Sequence, residues 1–73
     1  MNDHVYRVIE VVGSSDHSSD DAIRNALDRA GKTVRGIGWF KVVETRGHVA
    51  EDKVCHFQVT VKLGFALDDR DNG

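Results

Sequence analysis

Trp39 and Gln58 are the two side chains whose chemistry could form a ligand site. An indole offers a flat aromatic surface on which a planar ligand can stack, and a side-chain amide both donates and accepts hydrogen bonds. Both residues also have plain structural interpretations, since a tryptophan is often part of a core and a glutamine in a strand is often solvated. The pattern alone leaves both interpretations open.

The cysteine and histidine content predicts neither a disulfide nor a metal site. Cys55 is the only cysteine, which excludes an intrachain disulfide, and its core-like neighbours predict a small buried hydrophobic side chain. The four histidines have no Cys-x-x-Cys partner and no His-x-x-x-His spacing, so no structural zinc site is expected. His48 falls in a predicted loop and is interpreted as a solvated surface group.

Composition limits the partners of this protein. A net charge of −2 gives no basic surface for a phosphate backbone, so no nucleic acid partner is expected. The apolar residues never form the run of about 18 needed to cross a bilayer, and residues 1–4 do not resemble a signal peptide, so no membrane association is expected. With one free thiol, the predicted location is the reducing cytoplasm.

The length of 73 residues predicts one domain that needs further stabilisation. We expect a single domain over residues 1–73, with an ordered core of about residues 4–68 and a short flexible C-terminal tail. Such a short chain buries only about 60% of the surface that its unfolded form exposes, so its own core is marginal. Since neither a disulfide nor a metal is expected, self-association is the remaining source of stability.

Residue periodicity predicts an α+β domain with the element order β-α-β-β. Serine and aspartate residues at positions 18–21 suit a helix N-terminus, and apolar residues then recur at helical spacing to near Arg35-Gly36. The predicted strands are Val5–Val12, Ile37–Arg46 and Val54–Phe65, with turns at residues 13–15 and 47–53. Because the helix joins the first two strands in parallel, the third pairs antiparallel with both, and the predicted three-stranded sheet has the order 1-3-2.

Alternation in the third strand separates two faces of the predicted sheet. The face expected under the helix consists of Cys55, Phe57, Val59, Val61, Leu63 and Phe65. A hairpin centred near Ala50-Glu51 places Trp39 opposite Lys62 on the uncovered face. The same register places Gln58 opposite Val43. Trp39 and Gln58 then lie about 13 Å apart along the sheet, so one ring contacts both only by spanning that distance or by lying between two chains.

Four segments of the chain together resemble one known family. They are residues 6–15 (YRVIEVVGSS), 39–42 (WFKV), 45–48 (TRGH) and 56–65 (HFQVTVKLGF). In this order and at this spacing they resemble the dodecin family, over roughly residues 5–68. The resemblance implies a hollow homododecamer that stores or sequesters flavin and catalyses no reaction.

The resemblance also implies roles for individual residues. Trp39 and its symmetry mate would enclose a stacked pair of FMN or riboflavin rings, and Gln58 would hydrogen-bond to the polar ring edge. Gly38 and Arg46 complete the predicted cofactor-binding positions, with Arg46 as the contact for the flavin phosphate. Strict alternation places Arg46 on the helix side, so this role requires a bulge near the hairpin.

Two departures from the family pattern bear on the ligand. Lys41 replaces an acidic residue of many relatives, which makes the surroundings of Trp39 more basic and favours a phosphate. Ala66 replaces an arginine of bacterial relatives, so one phosphate or coenzyme A contact is expected to be lost. One alternative function is a coenzyme A-binding shell, which the cationic residues Lys32 and Arg35 support. A flavin-dependent oxidoreductase is the other, disfavoured because no nucleophile and base are predicted as a pair near Trp39.

Overall fold

The computed structural model describes residues 5–67 and has the predicted order of elements. Its elements are strand β1 at Tyr6–Ser15, helix α1 at Ser19–Ala30, strand β2 at Ile37–Ala50 and strand β3 at Lys53–Ala66. β3 lies between β1 and β2 and pairs antiparallel with both. The predicted α+β class and the sheet order 1-3-2 are therefore confirmed. The predicted C-terminal tail lies outside the described residues.

β1 is longer than predicted because Gly13 serves helix packing rather than a turn. Gly13 pairs with Val59 within the ladder, and the strand continues to Ser15. A Cβ atom on Gly13 would overlap the carbonyl oxygen of Ala22 and lie 2.8 Å from the Cβ of Ala26. The missing side chain therefore lets α1 lie close against the sheet, and the predicted turn at residues 13–15 is wrong.

α1 begins at a capped N-terminus, as predicted. Ser18 is the N-cap, and its hydroxyl oxygen accepts a hydrogen bond from the backbone N–H of Asp21 at 3.0 Å. The hydroxyl of buried Ser15 donates to the Asp21 carboxylate at 2.8 Å. These bonds connect the end of β1 to the first turn of the helix, where Asp21 also suits the positive end of the helix dipole.

α1 ends at Ala30, earlier than the predicted end near Arg35-Gly36. Gly31 follows the helix directly, and glycine has about 1 kcal/mol lower helix propensity than alanine. Val34 has helical spacing in the sequence, and its N–H does bond to the Ala30 carbonyl at 2.9 Å, but it lies after the turn at residues 31–33 and outside the helix. Gly36, with φ of 73°, then uses the left-handed conformation open to glycine to lead into β2.

β2 and β3 form a longer hairpin than predicted. Glu51 and Asp52 have φ values of 53° and 65°, which are typical of a two-residue type I′ turn, so most of the predicted loop is strand. Residues 47–56, here called the hairpin arm, are all exposed, and the described chain is 55 Å long. Cys55 lies in this arm, beyond the part of β3 that α1 covers. It is exposed, so its predicted burial is wrong.

The core lies between α1 and the middle of β3. Its buried side chains are Ala22, Ala26, Ala30, Val59, Val61 and Leu63. The three alanines recur every four residues on one face of the helix, so their small side chains allow close packing on the sheet. Ile9 and Val11 of β1 flank this core. The predicted apolar face of β3 is confirmed at residues 59–63, and the opposite face, here called the open face, has no helix over it among residues 5–67.

Candidate functional site

Trp39 lies on the open face of the sheet. It pairs with Gly64, the neighbour of Leu63, whose side chain is fully buried in the core. Because successive strand residues point to opposite faces, Gly64 and the indole over it belong to the open face. The face predicted for Trp39 is confirmed, and its interpretation as a core residue under the helix is excluded for this chain.

Two neighbours hold the indole of Trp39 in place. A Cβ atom on Gly64 would overlap indole atoms Cε2 and Cζ2 and lie 2.6 Å from Nε1, so the ring lies directly on the backbone of Gly64. Tyr6 meets the ring edge-on, with ring centroids 6.0 Å apart and planes at 66°. Trp39 nevertheless remains 38% exposed. An accessible aromatic surface is thus positioned by residues of β1 and β3.

Sequence reasoning missed both of these positioning residues. A glycine inside a strand indicates either a bulge or a close approach by another group, and Gly64 carried that signal. Tyr6 gave no comparable signal, because its contact with Trp39 depends on the register of both ladders, in which Tyr6 pairs with Ala66 and Trp39 with Gly64.

The register at Trp39 differs from the predicted one. Trp39 pairs with Gly64 rather than Lys62, because the tight turn at Glu51-Asp52 moves the centre of the hairpin by one residue. A shift of the centre by one residue moves each cross-strand partner by two. Since the side-chain period of a strand is two, Trp39 keeps its predicted face.

A bulge in β2 turns Arg46 toward Gln58. The ladder between Val42 and Glu44 contains one extra residue, Val43. Beyond it Gln58 pairs with Arg46 rather than with Val43, and both belong to the open face. Strict alternation would have placed Arg46 on the helix side. The bulge that a phosphate-binding role for Arg46 requires is therefore present.

Gln58 lies at the end of the open face away from Trp39. It is partly buried and has Arg46 and Ser14 as its cross-strand neighbours. Ser14, His48, His56 and Gln58 line a shallow depression of about 190 Å³. His48 is exposed, as predicted, but it lies in strand β2 rather than in a loop.

The two predicted ligand contacts are farther apart than the sequence suggested. Gln58 precedes Gly64, the partner of Trp39, by six residues on β3 (64 − 58). At a rise of about 3.3 Å per residue this separation is about 20 Å, against the predicted 13 Å or so. Within one chain, Trp39 and Gln58 therefore do not converge on one small site.

Charged residues occupy the open face between these two ends. Lys41 pairs with Lys62, and Lys62 pairs on its other side with Glu10. Like charges directly opposite each other are unfavourable, and the neighbouring carboxylate offsets part of this repulsion. Gly38 is exposed beside Trp39, and apart from its two chain neighbours a Cβ atom there would meet the Gly64 carbonyl oxygen at 3.9 Å.

Residues 5–67 show neither a cluster of metal-ligating side chains nor a membrane-spanning helix. Within this part of the chain, no three or more histidine, cysteine, aspartate or glutamate side chains are grouped so as to hold a metal ion. No helix of the same described span is long and apolar enough to cross a membrane.

The fold and this face define a small β-α-β-β domain that presents an aromatic side chain on an open sheet. The chain belongs to the dodecin family, whose family model, described as Dodecin, matches residues 5–68. It is 43% identical to dodecin from Thermus thermophilus over an alignment of 65 residues. This alignment covers 89% of this chain and 94% of that protein.

Solved structures agree with this assignment. Dodecin from Streptomyces davaonensis is 46% identical, with a TM-score of 0.85 and coverage of 92% of this chain and 98% of the other. Dodecin from Streptomyces coelicolor is 49% identical, with a TM-score of 0.85 and coverage of 92% and 96%, respectively. The similarity therefore extends over nearly the whole length of each relative.

Proposed function

We propose that this protein binds FMN or riboflavin by stacking the flavin ring on Trp39. The observation that carries the proposal is the placement of the indole: it rests on Gly64, meets Tyr6 edge-on and stays partly exposed on the open face. Stacking of a planar ring on an aromatic side chain contributes roughly 1 to 3 kcal/mol. Residues of the same chain already hold the indole in place, so flavin binding loses little free energy to ordering this side chain.

The flavin site is proposed to lie between chains. Gln58 is the proposed hydrogen-bonding partner of the ring edge, yet it lies about 20 Å from Trp39 along its own strand. That span exceeds the length of three fused aromatic rings. One flavin can therefore contact both residues only if Trp39 comes from one chain and Gln58 from another, and a two-fold axis repeats each contact for a second, stacked flavin.

Exposed apolar side chains support a homo-oligomer. Phe40 and Val42 lie on the helix side of β2, where α1 does not cover them, and are 47% and 41% exposed. Val8 and Val12 are 45% and 57% exposed on the open face. A small domain with apolar residues exposed on both faces is expected to bury them against copies of itself. We propose the family's hollow shell of twelve chains as that assembly.

Arg46 and Gly38 complete the proposed cofactor contacts. The bulge at Val43 places Arg46 beside Gln58, so a flavin reaching Gln58 also has a guanidinium nearby that suits a phosphate. Gly38, next to Trp39, is exposed and has no side chain that could cover the ligand. This arrangement favours FMN, because riboflavin lacks the phosphate.

The proposed role is storage or sequestration without catalysis. An indole in contact with a flavin transfers an electron rapidly to the excited ring, so bound flavin should be dark and protected from photochemistry. A stacked pair of flavins enclosed by two tryptophans leaves no ring face open to a substrate. Coenzyme A remains the alternative ligand, since Lys32 and Arg35 are exposed after α1, and analysis of ligands extracted from the purified protein distinguishes the two.

A flavin titration with two variants tests this function. Trp39→Ala removes the stacking surface, so affinity should fall at least about tenfold and any flavin still bound should regain fluorescence. Gln58→Ala removes a hydrogen bond of about 1 kcal/mol, so affinity should fall about fivefold while bound flavin stays dark. Unchanged flavin affinity in Trp39→Ala would refute the stacking role.

A parallel measurement tests the assembly. Light scattering should give a particle of about twelve times the chain mass of 8.1 kDa. A stable monomer at micromolar concentration that still binds flavin tightly would contradict the shared site, because no single chain brings Trp39 and Gln58 together.

A further inference from the structure

His48 and His56 face each other across the hairpin arm. They are direct partners in the ladder between β2 and β3, and both are exposed. Their imidazole centroids are 6.2 Å apart, with the ring planes at 84°. The two histidines are eight positions apart along the chain (56 − 48), so they form no local chelating motif in the sequence. Only the hairpin register brings the two rings together.

The geometry of this pair suits a shared metal ion. An imidazole nitrogen binds zinc at about 2.0 to 2.1 Å, which places two ligating ring centres about 5 to 6 Å apart at tetrahedral or wider angles. The observed 6.2 Å is close to this range. Since both side chains are exposed, small side-chain rotations can bring the nitrogens onto one ion.

The imidazole ligands favour a transition-metal cation, and neighbouring polar groups can support it. The depression beside the pair is also lined by Ser14 and Gln58, whose hydroxyl and amide can hydrogen-bond to a metal-bound water or to an outer imidazole nitrogen. Imidazole suits zinc, copper and nickel, whereas calcium and magnesium prefer carboxylate and carbonyl oxygens.

We propose that His48 and His56 form a binding site for a divalent transition-metal cation, with Zn²⁺ as the probe. Two protein ligands leave the coordination shell incomplete. Water molecules, or the same histidine pair from a second chain, would supply the remaining positions. Both ligands lie in the hairpin arm rather than at Trp39, and the depression beside them includes Gln58, a proposed flavin contact.

The test is a competition titration of Zn²⁺ against a chromophoric chelator, using the full chain stripped of metal and flavin. His48→Gln and His56→Gln should each weaken zinc binding at least about tenfold, since loss of even an outer-shell partner costs 10- to 100-fold. His17→Gln is the matched control: the His17 side chain is 80% exposed beside Asp16, away from the hairpin arm, and its loss should leave the affinity unchanged. One ion per chain or one per two chains both agree with the site.

Nuclear magnetic resonance of the unmodified protein provides a second readout that no variant can confound. Added Zn²⁺ should shift the imidazole signals of His48 and His56 and leave those of His17 in place. Wild-type affinity in both glutamine variants, equal competition by Ca²⁺, or unshifted His48 and His56 signals would each overturn the proposal.

Discussion

Gly64→Ala is the sharpest test of how Trp39 is positioned. The backbone of Gly64 does not have a positive φ, so alanine fits the strand itself. Its new methyl group, however, would occupy the space of indole atoms Cε2 and Cζ2. Carbon atoms in contact lie about 3.5 to 4.0 Å apart, so the ring must move off the strand by well over an ångström. The substitution thus displaces the platform while leaving every atom of Trp39 present.

The expected effects on flavin binding and on stability differ in size. Loss of the positioned ring should reduce flavin affinity by about 1 to 3 kcal/mol, which is about 5- to 150-fold. Stability should change less, because overpacking costs typically 1 to 3 kcal/mol in a closed core, whereas this ring can swing toward solvent. Replacing a strand glycine by alanine also recovers about 0.5 to 1 kcal/mol.

A double-mutant cycle supplies the control. In a Trp39→Ala background the Gly64 methyl group has no indole to displace, so Gly64→Ala should have no further effect on flavin affinity. Because quenching itself depends on Trp39, equilibrium dialysis measures flavin affinity in all four proteins. Wild-type affinity and quenching in Gly64→Ala, or equal losses in both backgrounds, would refute the reasoning that Gly64 positions the ring.

Three further predictions concern stability, and urea denaturation measures each. Gly13→Ala should cost about 1 to 3 kcal/mol, because the added Cβ would overlap the Ala22 carbonyl; an unchanged midpoint would contradict the close helix approach. Ser18→Ala should cost about 1 kcal/mol through loss of the N-cap, and Ser18→Asp should recover most of it. Replacing Glu51-Asp52 by Asn-Gly should stabilise the hairpin by about 1 kcal/mol, and a loss of stability would exclude the assigned turn type.

The sequence was sufficient for the features that depend on side-chain periodicity. Alternation along β3 predicted the buried row at residues 59–63, and the direction of the connections then left one sheet order. The face of Trp39 was predicted correctly although its partner was not, because the error of two positions equals one side-chain period. The family resemblance supplied the roles of Gln58 and Arg46, which remain proposals.

Features that depend on single residues in three dimensions could not be predicted. The sequence alone predicts a turn at Gly13, and only the structure shows that α1 packs against this glycine. The bulge at Val43 has no sequence signal, yet it decides the face of Arg46. Cys55 continues the apolar alternation of β3, but burial also requires a covering element, and α1 covers only the middle of that strand. Strand length and helix length thus have to be compared before burial is assigned.

The exposed hairpin arm has a consequence for how the stability of this protein must be measured. Residues 47–56 make their hairpin hydrogen bonds but lie apart from the core, which α1 and residues 59–63 form. If other chains supply the missing packing, folding and association are linked by mass action, and the melting temperature rises with protein concentration. A melting temperature recorded at one concentration then depends on that protein concentration as well as on the sequence. Variants can be ranked by stability only at matched concentrations.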